Sequence, residues 1–295
     1  MIKLNGYVVE QGRFPDGTLA LNVDVKKFAF NFKNCITWLY DGDYELFTIM
    51  SLVDILKRTN RLAERILVMP YLPNARMDRI KSNGENFSLK VFANWLNSLE
   101  FDSVIVENVH SNVSTALINN IKDCLPEGDI KNIAKKYNFD VIFFPDEGAC
   151  KRYKDMKVIK ELGLPIEDED TEVEDEDTEE IKKIDLPIAF GIKNRDWKTG
   201  EILGLDIVGA DVKDKNVLII DDICSKGFTF YYSGQKLREL GAKDIRLYIT
   251  HCEDNIQNGE ILKTDVISKV YTTDTICHIN DKKIEFVRKF RENKK

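Results

Sequence analysis

The sequence predicts an α/β protein with two successive β/α series, roughly 1–137 and 138–280, each a mainly parallel sheet flanked by helices. Three observations point there. Short apolar runs rich in β-branched residues recur, among them Ile66–Met69, Val104–Val106, Val141–Phe144 and Val217–Ile220, as buried parallel strands do. Stretches with helical spacing separate them, such as Leu46, Ile49, Met50, Val53 and Leu56. Each run then opens into a polar loop, the place where ligands of open α/β sheets collect.

The 295 residues suffice for two domains. No apolar run approaches the roughly 18 residues of a membrane helix, and the start lacks signal-peptide character, so a cytoplasmic protein without membrane association is expected. Six cysteines without a C-x-x-C pair read as free thiols in a reducing compartment. The net charge of −7 arises in one place: eleven of residues 167–180 are acidic, and without them the balance is +4. That segment, within an insertion at 166–181, reads as a solvated loop. No basic, aromatic-interleaved stripe suggests nucleic acid.

In chain order, residues 1–25 alternate around the turn Arg13-Phe-Pro-Asp-Gly-Thr18. Phe14 offers a face for stacking on adenine and Asp16 a carboxylate for its amino group; a plain hairpin is the simpler alternative. Cys35–Tyr40 reads as a strand, Glu45–Leu62 as a helix and Arg65–Met69 as the next strand. The latter feeds Pro70–Arg79, a loop with two arginines suited to phosphate. A helix over Phe87–Leu99 and a strand over Ser103–Val106 follow, delivering Glu107-Asn-Val-His110; His110 reads either as a ligand or as a structural histidine.

The second series begins with a helix over 129–138. Asp140–Phe144 then opens into Pro145-Asp-Glu-Gly-Ala-Cys-Lys-Arg152, a setting for metal and phosphates. Leu186–Phe190 precedes Gly191–Gly200, polar and glycine-bounded as a mobile lid would be. Val217–Ile220 ends at Asp221-Asp222, followed by Gly227, Thr229 and a helix from about Phe230. Paired carboxylates there suit ribose hydroxyls, and helix N–H groups suit a phosphate; acids that merely start a helix are the alternative. Gly241–Thr250 ends a further unit at His251, Val270–Ile276 closes the sheet, and the last nineteen residues, including the tail 281–295, read as helical.

The strand-Asp-Asp-loop-Gly-x-Thr pattern resembles the PRPP-binding motif of type I phosphoribosyltransferases and of ribose-phosphate pyrophosphokinases (PRPP synthetases). Six motifs in order resemble the latter family: Phe14-Pro-Asp-Gly, Pro73-Asn-Ala-Arg-Met-Asp78, Asn108-Val-His110, Pro145 to Arg152, Lys193-Asn-Arg195 and Asp221-Asp222. The resemblance implies two tandem type I phosphoribosyltransferase-like domains and Mg²⁺-dependent transfer of the diphosphate of ATP to the anomeric hydroxyl of ribose 5-phosphate. It implies ATP contacts at Phe14, Asp16, Arg76, Asp78 and His110, and metal contacts at His110 and Asp146. Lys193 and Arg195 would act in catalysis with His110. Asp221, Asp222, Ser225, Lys226, Gly227, Phe228 and Thr229 would hold the ribose and its phosphate. A homo-oligomer, a dimer or larger, is implied as well.

The 5-phosphate loop departs from the family's Asp-Thr-x-Gly-Thr, reading Ser225-Lys-Gly-Phe-Thr229. Phe228 either packs beneath the loop or, with Lys226, suits a phosphate carrying a further group such as a nucleotide. ADP-ribose is then an alternative acceptor, giving ADP-ribose pyrophosphate for NAD⁺ resynthesis. Met77, Asn108 and Thr18 also depart from the family's Gln, Asp and Glu. A base-using phosphoribosyltransferase and a catalytically silent regulatory or sensor protein are the rivals.

Overall fold

The structure is a computed structural model and describes residues 1–161, 187–195 and 202–291, with the side chains of 161, 193–195 and 202–204 excepted. The acidic insertion thus lies outside the described residues. Contacts divide the chain into two units. One holds Met1–Leu125, Asp274–Cys277 and the segment from Lys289 onward; the other holds Pro126–Thr273 and His278–Arg288.

The first unit contains strands β1 (Ile2–Leu4), β2 (Tyr7–Val8), β3 (Gln11–Arg13), β4 (Leu19–Leu21), β5 (Lys33–Trp38), β6 (Glu64–Met69), β7 (Ser103–Glu107) and β8 (Ile121–Cys124). Its helices are α1 (Leu46–Thr59), α2 (Ser88–Ser98) and α3 (Asn112–Leu117). The main sheet has the order β2-β1-β5-β6-β7-β8 and is parallel from β5 to β8, with β3–β4 as a separate hairpin. Alternation along β5 buries Ile36 and Trp38 against Leu67 and Met69 of β6, while α1 adds Ile49, Leu52, Val53 and Leu56. This is the expected pattern of one apolar helix stripe on a pleated face.

The second unit contains α4 (Glu127–Lys136), β9 (Val141–Phe144), α5 (Glu147–Tyr153), α6 (Lys157–Glu161), β10 (Ile188–Arg195), β11 (Ile202–Gly209), β12 (Asn216–Cys224), α7 (Phe228–Glu239), β13 (Asp244–Cys252), β14 (Lys269–Thr273) and β15 (Ile284–Arg288). Its sheet runs β11-β10-β9-β12-β13-β14-β15, parallel except for the β10–β11 pair. All four residues of β9 are buried, as befits a central parallel strand. Asp129 of α4, 3 % exposed, accepts from Tyr248 Oη at 2.9 Å and pairs with Arg288 Nε at 2.9 Å. That network ties the first helix of the unit to its last strand.

Four expectations change. The closing segment is not helical: Ile284–Arg288 forms β15 beside β14, because pairing with Val270–Thr273 satisfies its backbone. For the same reason β14 does not close the sheet. The expected lid loop at 191–200 is strand as far as Arg195, paired antiparallel with β11, with a register shift at Asn194/Arg195. The strand expected to end at Ile220 runs on to Cys224, because β13 continues beside it and extends the ladder through both aspartates. Edge strand β8 carries too short an apolar pattern to read from sequence.

Candidate active site

In the second unit, β12 lies between β9 and β13, with Ile219 beside Phe143 and Asp221 beside Ile249. β9 stops at Phe144, so at the level of the aspartates its chain has already turned into α5. That turn presents Asp146, the N-cap of α5, whose Oδ1 accepts the Ala149 N–H at 3.0 Å. Asp221 Oδ1 accepts the Asp222 N–H at 2.9 Å, and Asp222 is buried. Burial first, then the charges of Asp222 and Asp146, push the Asp221 pKa well above the usual carboxylate range. Three carboxylates therefore meet at the carboxyl edge of one sheet.

Beyond β12, Gly227 adopts φ 77° and serves as the N-cap of α7 without a side-chain cap. A Cβ on Gly227 would lie 2.4 Å from Ile261 Cδ1, so the position excludes other residues twice over. The first-turn N–H groups of α7 thus face no capping side chain, the arrangement that receives anions. Ser225 Oγ accepts from Asn255 Nδ2 at 2.9 Å, while Lys226 and Thr229 are exposed. Phe228 does not pack beneath the loop: it is 45 % exposed and stacks on Tyr232, 59 % exposed, with centroids 6.4 Å apart. Ile261 and Cys224 already fill the space next to Gly227.

In the first unit, the chain leaving β6 stays beside the end of β7, with the Glu107 N–H donating to Pro70 O at 3.1 Å. Asp78 is buried and pairs with Arg79 Nε at 2.9 Å. Its pKa is held below the usual range by Arg79 first, with help from Ser111 and His110. Asp78 and His110 are thereby brought together, and His110 and Arg76 are exposed. Phe14, 58 % exposed, and Asp16 sit at the tip of the β3–β4 hairpin. Asp16 Oδ1 accepts from both the Thr18 N–H and hydroxyl, at 3.0 and 2.7 Å, which lowers its pKa. The backbones of Lys193 and Arg195 lie on β10, and their side chains lie outside the described residues.

Among the described residues, no group of three or more His, Cys, Asp or Glu side chains could by itself hold a metal. Magnesium bound with phosphates asks for less, one or two carboxylates completed by water and substrate oxygens. Asp146, at the start of α5 beside the end of β12, supplies a carboxylate of that kind. The segment 254–261 behind residues 225–229 escapes a sequence reading, because nothing in Asp254-Asn-Ile-Gln-Asn-Gly259 signals that it touches Ser225. No described helix is long and apolar enough to cross a membrane.

A family model described as "Phosphoribosyl transferase domain" matches residues 129–282, just over half of the chain. The chain belongs to that family. Along nearly its full length this phosphoribosyl transferase family member is similar to ribose-phosphate pyrophosphokinases. The one from Pyrococcus abyssi is 29% identical, covering 93% of this chain and 90% of the relative. The one from Campylobacter jejuni is 26% identical, covering 90% and 78%. The crystal structure of phosphoribosylpyrophosphate synthetase from Mycobacterium smegmatis superposes with a TM-score of 0.67 at 20% identity, covering 94% of this chain and 85% of that one. The fold is thus the doubled phosphoribosyltransferase-like α/β fold, and the chain is an enzyme, a transferase similar to the ribose-phosphate pyrophosphokinases.

Proposed function

We propose that the enzyme transfers the β,γ-diphosphate of ATP to the C1 hydroxyl of ribose 5-phosphate, giving PRPP and AMP. One observation carries the reading: Asp146, Asp221 and Asp222 gather at one sheet edge beside the uncapped start of α7 behind Gly227. Carboxylates accept from sugar hydroxyls, and free helix N–H groups donate to phosphate. The names of the full-length relatives support the same chemistry.

In this reading Asp221 and Asp222 hold the ribose hydroxyls, and Ser225 to Thr229 hold the 5-phosphate. Lys193 and Arg195 neutralise charge on the transferring group, the largest task in phosphoryl transfer. Arg76 and Asp78 serve the ATP phosphate loop, and Phe14 and Asp16 the adenine. His110 and Asp146 are each candidates to hold Mg²⁺. When bound, the ion spreads the charge of the ATP phosphates. As the bond from C1–O to the β-phosphorus forms, the bond to AMP breaks and the C1 hydroxyl loses its proton. A cytoplasmic homo-oligomer belongs to the same proposal.

A second reading keeps this chemistry and changes the acceptor to ADP-ribose. The exposed stack of Phe228 on Tyr232, next to the 5-phosphate loop, favours it, since a ring pair there suits a base carried beyond the phosphate. The test measures AMP release from ATP and Mg²⁺ with ribose 5-phosphate and, separately, with ADP-ribose, no base being added. Release with ribose 5-phosphate alone supports the first reading, and release with ADP-ribose alone the second. No release with either supports a silent sensor.

A further inference from the structure

A short turn outside the motifs, Asp254–Asn258 after β13, supports the phosphate loop from behind. Asp254 holds it in place: its two carboxylate oxygens face the His278 N–H at 2.6 Å and His278 Nδ1 at 3.0 Å. The Glu253 N–H donates to Cys224 O at 2.8 Å, directly before the loop. A Cβ on Gly259 would fall 1.8 Å from the carbonyl oxygen of Lys226, so the two backbones are in close contact. At the centre of this contact, Asn258 Nδ2 donates to Asn255 Oδ1 at 2.9 Å and Asn255 Nδ2 donates to Ser225 Oγ at 2.9 Å.

From this geometry we infer that Asn255 is a positioning residue that turns the Ser225 hydroxyl proton toward the acceptor's 5-phosphate. The inference rests on the reading of 225–229 as a phosphate cradle. A hydroxyl carries one proton and two lone pairs. Asn258 engages the Asn255 carbonyl, which leaves the amide NH₂ to face Ser225 and occupy one of those lone pairs. The hydroxyl proton must then find another acceptor. A phosphate oxyanion presents acceptors only, so the serine is aligned in advance in the direction that binding requires.

The test compares Asn255→Ala, Asn255→Asp, Ser225→Ala and the Ser225→Ala/Asn255→Ala double variant, with ribose 5-phosphate and ADP-ribose in separate series. Asn255→Ala is expected to raise the acceptor KM about 5- to 10-fold, with kcat and the ATP KM held within about twofold, the scale of one misaligned hydrogen bond. Asn255→Asp raises the acceptor KM further, roughly 30-fold or more, because a carboxylate draws the serine proton to itself and repels the phosphate. The double variant is no weaker than Ser225→Ala alone. A merely structural turn would instead lower kcat, or affect both substrates alike.

If Ser225→Ala leaves the acceptor KM unchanged, the cradle reading itself is lost. If Ser225→Ala raises it while Asn255→Ala has no effect, or adds independently in the double variant, only the inference is overturned. Should Asn255→Ala fail to fold, the exposed Asn258→Ala decides: a rise of about two- to threefold in acceptor KM supports the inference, on the same hydrogen-bond scale, and none refutes it.

Discussion

Replacing Asp221 by Asn should make the protein more stable at neutral pH and catalytically inert. Asn keeps an oxygen to accept the Asp222 N–H, now 2.9 Å from Asp221 Oδ1, and removes a charge held beside Asp222 and Asp146. The folded-state pKa of Asp221 lies above its unfolded value. Its contribution is therefore favourable only below the unfolded pKa and is lost as pH rises through the folded one. At pH 7.5, above the unfolded pKa, the raised pKa counts against the fold. On the general scale of neighbouring like charges at an effective dielectric constant near 20, repulsion is on the order of 2 kcal/mol. With partial solvent screening the gain is about 1–2 kcal/mol, or a Tm increase of roughly 3–6 °C for a unit of this size. Calorimetry at pH 7.5 without Mg²⁺ measures it, and the gain should shrink as pH falls toward 5. AMP release by the same variant should be lost, because the ribose hydroxyls lose an anionic acceptor. A Tm that falls, or a gain that does not change with pH, would refute the electrostatic account.

Lys193→Ala should lower kcat by about 10²–10³ with a modest change in ATP KM, since it removes charge stabilisation from the transition state; steady-state kinetics decide, and unchanged turnover would remove Lys193 from the mechanism. Asp129→Ala should cost about 3–4 kcal/mol in urea unfolding, because it leaves Arg288 and Tyr248 without their buried carboxylate. Gly227→Ala should weaken acceptor binding by tenfold or more and lower the Tm, since φ 77° and the Ile261 side chain both oppose a Cβ. Calorimetry with acceptor titration checks it. Chelation of Mg²⁺ should abolish AMP release, with recovery on adding it back.

The central strands were legible because each is a short apolar run: Val141–Phe144 and Val217–Ile220 are buried on both faces and look so in one dimension. Helices α1 and α2 were legible from their single apolar stripe. Strand β15 was not, since Ile284–Arg288 is half polar and becomes a strand only by pairing with β14. Lys193-Asn-Arg195 looked like loop because its extension depends on pairing with β11.

The motifs, the two β/α series and the Asp221-Asp222 pair were determined by sequence alone, for they depend on residue type and local spacing. Only the tertiary structure decided that Asp146 approaches Asp221 and that Asn255 reaches Ser225. Those facts come from strand order and register, which bring together residues dozens of positions apart, and no local pattern encodes a neighbour so remote in the chain.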